Sequence, residues 1–197
     1  MACSSHDAVV RVLTVALTWL LAMSGAPPLI DLHGMSAVAG KAVPDAVVWL
    51  ETPGAPRPRP ESAVLDQRNL TFSPRVVAVQ VGARVKFPNR DRVFHNVFSH
   101  HEGKVFDLGL YPVGAVKEVP FEKPGLSRVF CNIHPQMAAY VMVVDTPYFA
   151  VSDQAGQFVI RGVPAGTYTY RAWRPGGAII VNSVVVGADT RLNVHWP

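Results

Sequence analysis

Apolar and polar residues alternate over short stretches along most of this chain. Ala83-Arg-Val-Lys-Phe87 sets Ala, Val and Phe on one face and two cations on the other, the period of a half-buried strand. Further strands are predicted over 69–80, where Pro74 limits the stretch to an edge or a bend. More follow over 91–99, 104–110, 115–121, 125–131 and 138–144, with Gly or Pro between most of them. So many short strands within residues 62–146 predict a sandwich or barrel. The last fifty residues carry a separate pattern. Asp153-Gln-Ala-Gly156 and Val163-Pro-Ala-Gly166 read as turns around a strand at 157–160. Strands at 167–173, 178–186 and 190–196 complete a second small β-unit. Ahead of both, Val43 to Glu51 reads as a strand, and Pro53-Gly-Ala-Pro-Arg-Pro-Arg-Pro60 as an extended linker.

Composition agrees with an all-β reading. The chain of 197 residues is 49% hydrophobic, rich in Val, and punctuated by 15 Gly and 17 Pro, which favours strands and turns. Its length fits one domain or two small ones. The formal net charge of +4 comes from scattered cations, so no nucleic-acid surface is expected. That charge does allow steering toward an acidic redox partner.

Residues 1–39 read as a targeting segment. Arg11 precedes the apolar run Val12 to Met23, and Ala37-Val38-Ala39 offers a small-x-small cleavage site. An earlier cut near Ala26 is the alternative, with Pro27 then leading the mature chain. The run is short for a membrane span, so a membrane association is expected only if the segment is uncleaved. The expectation is a periplasmic or otherwise exported protein. Removal of 1–39 takes away Cys3 and leaves Cys131 as the one cysteine. A lone thiol is a liability in an oxidising compartment, and coordination to a metal would protect it.

Cys131-Asn-Ile-His134-Pro-Gln-Met137 places a thiolate, an imidazole and a thioether on one tight loop. Soft sulfur ligands favour Cu(I), while imidazole serves both copper oxidation states. His95, in Phe94-His95-Asn96-Val97, is the candidate second imidazole for a His₂Cys plane with a long axial Met. One copper ion is the cofactor this set predicts. Zinc is the rival for Cys and His, although a thioether adds little to a zinc site. Gln136 can also serve axially. His100-His101-Glu102 reads as a solvated loop, because adjacent strand residues point to opposite faces.

Val81-Gly82, Val85-Lys-Phe-Pro-Asn89, His95-Asn96-Val97 and Phe130-Cys131-Asn-Ile-His134-Pro-Gln-Met137 together resemble the cupredoxins, the small blue-copper fold of plastocyanin, azurin, pseudoazurin and amicyanin. The likeness covers about residues 62–146, and the short Cys-x-x-His-Pro-x-Met loop is similar to that of amicyanin. It implies a Greek-key β-sandwich with Cys131 as the short thiolate ligand, His95 and His134 as equatorial nitrogens and Met137 as the weak axial ligand. It favours Met137 over Gln136 and implies that Asn96 hydrogen-bonds the ligand loop. Phe87 and Phe130 are expected to pack the core near the site, and Pro135 to keep the His134 edge near the surface. Ser152 to Tyr168, with Gly40 to Leu50, resembles a carboxypeptidase-regulatory-like β-sandwich. That implies either a cupredoxin unit inserted into a sandwich made by both chain ends, or a cupredoxin with an N-terminal strand extension and a C-terminal appendage. The divisions expected are 1–39 signal peptide, 40–61 strand and linker, 62–146 copper domain and 147–197 second sandwich.

The function this implies is single-electron transfer between redox partner proteins through Cu(I)/Cu(II). Four protein ligands and no open position argue against catalysis, so no enzyme is expected. The alternative is periplasmic copper binding for delivery or storage. A purely structural exported β-protein and a cysteine hydrolase are the remaining classes, and no nucleophile signature surrounds Cys131 to support the latter.

Overall fold

In the computed structural model the described residues are 27–52, 60–100 and 103–197, and their regular structure is all strand. The chain opens with β1 (Leu29–Val38), β2 (Lys41–Ala42) and β3 (Val47–Leu50). Ten strands follow: β4 (Ala63–Val64), β5 (Asp66–Arg68), β6 (Thr71–Ser73), β7 (Val76–Gln80), β8 (Ala83–Pro88), β9 (His95–Ser99), β10 (Phe106–Tyr111), β11 (Val116–Phe121), β12 (Gly125–Phe130) and β13 (Ala138–Val144). The last five are β14 (Phe149–Val151), β15 (Gln157–Pro164), β16 (Gly166–Trp173), β17 (Ile180–Val186) and β18 (Arg191–Trp196).

The middle strands make an inner sandwich. One sheet runs β10-β9-β12-β13-β7 and the facing one β11-β8-β4, with β5-β6 as a separate pair. Leu65, Phe72, Val85, Phe87, Val97, Phe121, Val129 and Val141 fill the space between them, together with Cys131 and Met137. Each such side chain, taken fully out of water, contributes about 1.5–3 kcal/mol.

The first and last strands make an outer sandwich around the insertion. β1 is the middle strand of one sheet, between β15 and β18, and β3 lies between β14 and β16 in the other. Leu32, Val48, Leu50, Ile160 and Val194 are wholly buried between these sheets. The inner sandwich is therefore inserted between β3 and β14. The crossing points are tied together. Leu50 N–H donates to the Tyr148 carbonyl at 2.9 Å, and Thr52 Oγ1 lies 3.0 Å from Thr146 Oγ1.

β1 corrects the sequence reading of the N-terminus. Ile30, Leu32 and Ser36 face inward along it, while Leu29, Asp31 and His33 face out. A cut after Ala39 would excise the centre of a sheet. Ala37-Val38-Ala39, read as a cleavage site, is instead the end of that strand and the first residue of a two-residue hairpin. Val38 pairs with Lys41, and Ala39 and Gly40 have φ of 47° and 77°, the left-handed pair such a turn requires. A cut near Ala26 leaves β1 intact. The apolar run 12–23, Cys3, the linker at 53–59 and the pair His101-Glu102 lie outside the described residues.

The two sandwiches meet through faces that would otherwise be wet. Val47 of β3, Val76 of β7, Met142 and Val144 of β13 and Trp173 of β16 form a third buried cluster. β13 is thus apolar on both sides, with Ala139, Val141 and Val143 in the inner core and Met142 and Val144 in the contact.

Candidate metal centre

The site is built where β9 begins and β12 ends. These strands are neighbours in one sheet, with Phe130 opposite Phe98, so His95 and Cys131 are brought to the same end of the inner sandwich. β12 and β13 form a hairpin whose last pair is Phe130 and Ala138. Residues 131–137 are its connection, held by Met137 N–H donating to the His134 carbonyl at 2.9 Å and by Cys131 N–H to the Met137 carbonyl at 3.4 Å. Val129 and Cys131 point inward, as strand alternation requires.

Three donor atoms converge there. Cys131 Sγ lies 3.8 Å from His95 Nδ1 and 3.6 Å from His134 Nδ1, and the two nitrogens are 3.1 Å apart. The circle through them has a radius of about 2.0 Å, close to the metal–imidazole bond of about 2.0–2.1 Å and the metal–thiolate bond of about 2.3 Å found with zinc. Among the described residues this is the one group of three or more His, Cys, Asp or Glu side chains able to hold an ion. His95 is wholly buried, Cys131 and Met137 are nearly so, and His134 is half-buried. Met137 packs in the same core cluster as Cys131, whereas Gln136 is exposed.

The sequence reading overlooked the group behind His95. Asp91 Oδ2 lies 3.1 Å from His95 Nε2. The same oxygen accepts from Leu70 N–H at 2.7 Å, and Oδ1 accepts from Arg92 N–H at 2.9 Å. The Leu70 bond is the main cause that pulls the Asp91 carboxyl down to about 2, against a smaller burial effect, with Arg92 and His95 adding to it. Asn89 was overlooked as well. Wholly buried, it donates to the Val93 and Tyr111 carbonyls at 2.9 and 3.2 Å and accepts from Asp91 N–H at 3.1 Å. It thereby shapes the loop that delivers Asp91 and His95. An Asp four positions before a ligand His, in a stretch rich in turn-formers, was the available signal.

Two other expectations are corrected. Asn96 does not reach the ligand loop. It lies on the opposite face of β9 from Val97 and donates to Asp107 Oδ1 on β10 at 2.7 Å. With Gly109 N–H on the same oxygen, this lowers the Asp107 pKa, the Gly109 bond contributing most. The segment 107–111 therefore braces β9. Phe130 does not pack the core either. It alternates outward from Val129 and Cys131, 5.9 Å from the ring of Phe98, with the Arg128 guanidinium 5.7 Å above it. Phe87 is in the core. His100, the first residue of the segment read as a solvated loop, is exposed, its ring 4.7 Å from that of Phe98.

Comparison with known protein families finds no match, and comparison with curated proteins finds none either. Solved structures that resemble the chain include a purple cupredoxin from Nitrosopumilus maritimus, 29% identical, matched over 42% of this chain and 99% of that one with a TM-score of 0.39. A copper-containing nitrite reductase from Thermus scotoductus is 23% identical over 49% of this chain and 25% of its own, with a TM-score of 0.42. A variant of amicyanin in its reduced Cu(I) form is 22% identical over 42% and 82%, with a TM-score of 0.40. Each likeness falls on less than half of this chain. The described residues fold as an all-β protein built of sheets packed as sandwiches. The likeness of the second sandwich to a carboxypeptidase-regulatory module rests on its residues alone.

Proposed function

We propose that this chain is a type 1 (blue) copper protein that passes single electrons between partner proteins and carries out no substrate chemistry. The observation that carries the reading is the triangle of His95 Nδ1, His134 Nδ1 and Cys131 Sγ, sized for one ion and closed off from water on the Cys131 side. The donor set is soft, a thiolate with a thioether near it in the chain, which suits an ion that cycles between Cu(I) and Cu(II). Burial of Met137 and exposure of Gln136 favour Met137 as the axial ligand.

The protein's part is to hold these donors in place through one-electron change. The β9–β12 pairing sets the separation of His95 and Cys131, and the short hairpin connection carries His134 over them. Little can move, so little reorganises when charge changes. His134 is the half-buried ligand, next to exposed Pro135. Phe94 and Ile133, the chain neighbours of the two histidines, are 55% and 46% exposed, so the site meets solvent through an apolar rim on which a redox partner can sit. Export is part of the same reading, with a cut that falls before Leu29 so that β1 is kept.

The visible absorption spectrum of the copper-loaded, oxidised protein tests the reading. An intense blue thiolate-to-copper band that bleaches on reduction and is absent in Cys131→Ala is expected. A colourless protein that binds Cu(I) tightly moves the function to copper delivery or storage. A protein that takes up no copper overturns the reading.

A further inference from the structure

The edge of His95 that faces away from Cys131 is held by an acid. We propose that Asp91 is a positioning residue of the metal centre: its carboxylate holds His95 as the Nε2–H tautomer, aims Nδ1 at the ion and, as a fixed negative charge behind the ring, favours the oxidised ion over the reduced one. This rests on the copper reading given above.

A carboxylate can only accept, so the 3.1 Å contact between Asp91 Oδ2 and His95 Nε2 puts a proton on Nε2. The neutral ring then presents a lone pair at Nδ1, toward Cys131 and His134. His134 Nδ1 lies 3.1 Å from that lone pair. The two histidines differ in kind. His95, wholly buried, is preset from behind. His134 is only half-buried.

Asp91 is itself immobilised. Leu70 N–H holds the oxygen that faces His95, and Arg92 N–H holds the other. Of the two arginines that flank Asp91 in the chain, Arg90 is turned to Asp66 at 3.0 Å, and Arg92 meets Asp91 through its backbone N–H. A charge behind a ring with no exposed surface acts through a medium that screens poorly. The oxidised ion carries one more positive charge than the reduced one and gains more from it. Such outer partners of metal-bound histidines fix ring orientation and raise ligand basicity.

The full chain, copper-loaded, is titrated against a series of redox mediators with the blue band as readout, for wild type, Asp91→Asn and Asp91→Glu. Asp91→Asn is expected to keep the band and to shift the oxidised-to-reduced balance at least tenfold toward Cu(I), an upward move of about 59 mV for one electron. Asp91→Glu, which keeps the charge, is expected to stay nearer wild type. Equal potentials for wild type and Asp91→Asn overturn the proposal. Nitrogen-15 NMR of the metal-free wild-type protein is a second test that needs no variant. His95 protonated at Nε2 supports the assignment, and protonation at Nδ1 overturns it. A wild-type chain that binds copper without a blue band overturns the copper reading, while the NMR result still decides the tautomer.

Discussion

The outer sandwich and the inner one bury polar groups in opposite ways. In the outer unit the fully buried serines are saturated. Ser36 Oγ donates to the Val43 carbonyl at 2.6 Å, and Ser152 Oγ accepts from Ala46 N–H at 2.9 Å while meeting the Val43 carbonyl at 2.8 Å. In the inner unit Gln67, Gln80, Asn89, His95, Asn96, Ser99 and Ser127 are all buried. Several keep an unpartnered atom among the described residues: Gln67 Oε1, Gln80 Nε2, Asn96 Oδ1 and Ser99 Oγ. An unpaired buried polar group costs about 1–3 kcal/mol. Among the described residues the outer unit leaves Arg174 Nε without a partner, and the inner unit carries the larger share of that cost.

Removing β1 gives the largest expected effect on this contrast. A chain beginning at Gly40 lacks the middle strand of the β15-β1-β18 sheet, and its loss exceeds the whole stability of an ordinary domain, about 5–15 kcal/mol. It is expected to be insoluble or protease-sensitive, whereas one beginning at Pro27 folds. Circular dichroism and limited proteolysis of the pair decide this. Leu32→Ala, in the wholly buried centre of the outer core, is expected to cost about 2–5 kcal/mol in denaturant unfolding and to leave the copper band of the folded protein unchanged. Ser152→Ala, which strands Ala46 N–H in the outer unit, is expected to cost about 1–3 kcal/mol. Ser99→Ala, which removes an unpartnered hydroxyl from the inner unit, is expected to fall within about 0.5 kcal/mol of wild type. Equal costs for the two serines would end the comparison.

What could be read from the chain follows from where the signal is local. Ala83-Arg-Val-Lys-Phe87 and the run 138–144 became β8 and β13 because alternation and burial agree there. The stretch from 69 to 80 broke at Pro74 into β6 and β7, as its proline required. β1 carried the same alternation at Ile30, Leu32 and Ser36. It was read as a leader because small residues at 37–39 satisfy a cleavage pattern as well as they satisfy a strand end. Its partners, β15 and β18, lie more than a hundred residues away, and no local window contains them. His95, Cys131 and His134 were legible because each residue type is informative by itself. Asp91 was not, since an acid in a turn is ordinary until the fold sets it against an imidazole. Asn96 was assigned a partner from the likeness to cupredoxins, but the strand β10 put Asp107 closer.

The parallel pairing of β1 with β18, from His33 and Arg191 to Val38 and Trp196, has a mechanical consequence. A pull on the two ends of the described chain drags these neighbours past each other along their length, so their hydrogen bonds are loaded together in shear and do not unzip one at a time. The force enters and leaves through this one ladder. The inner unit hangs from the span between β3 and β14 and bears no tension until the ladder gives way.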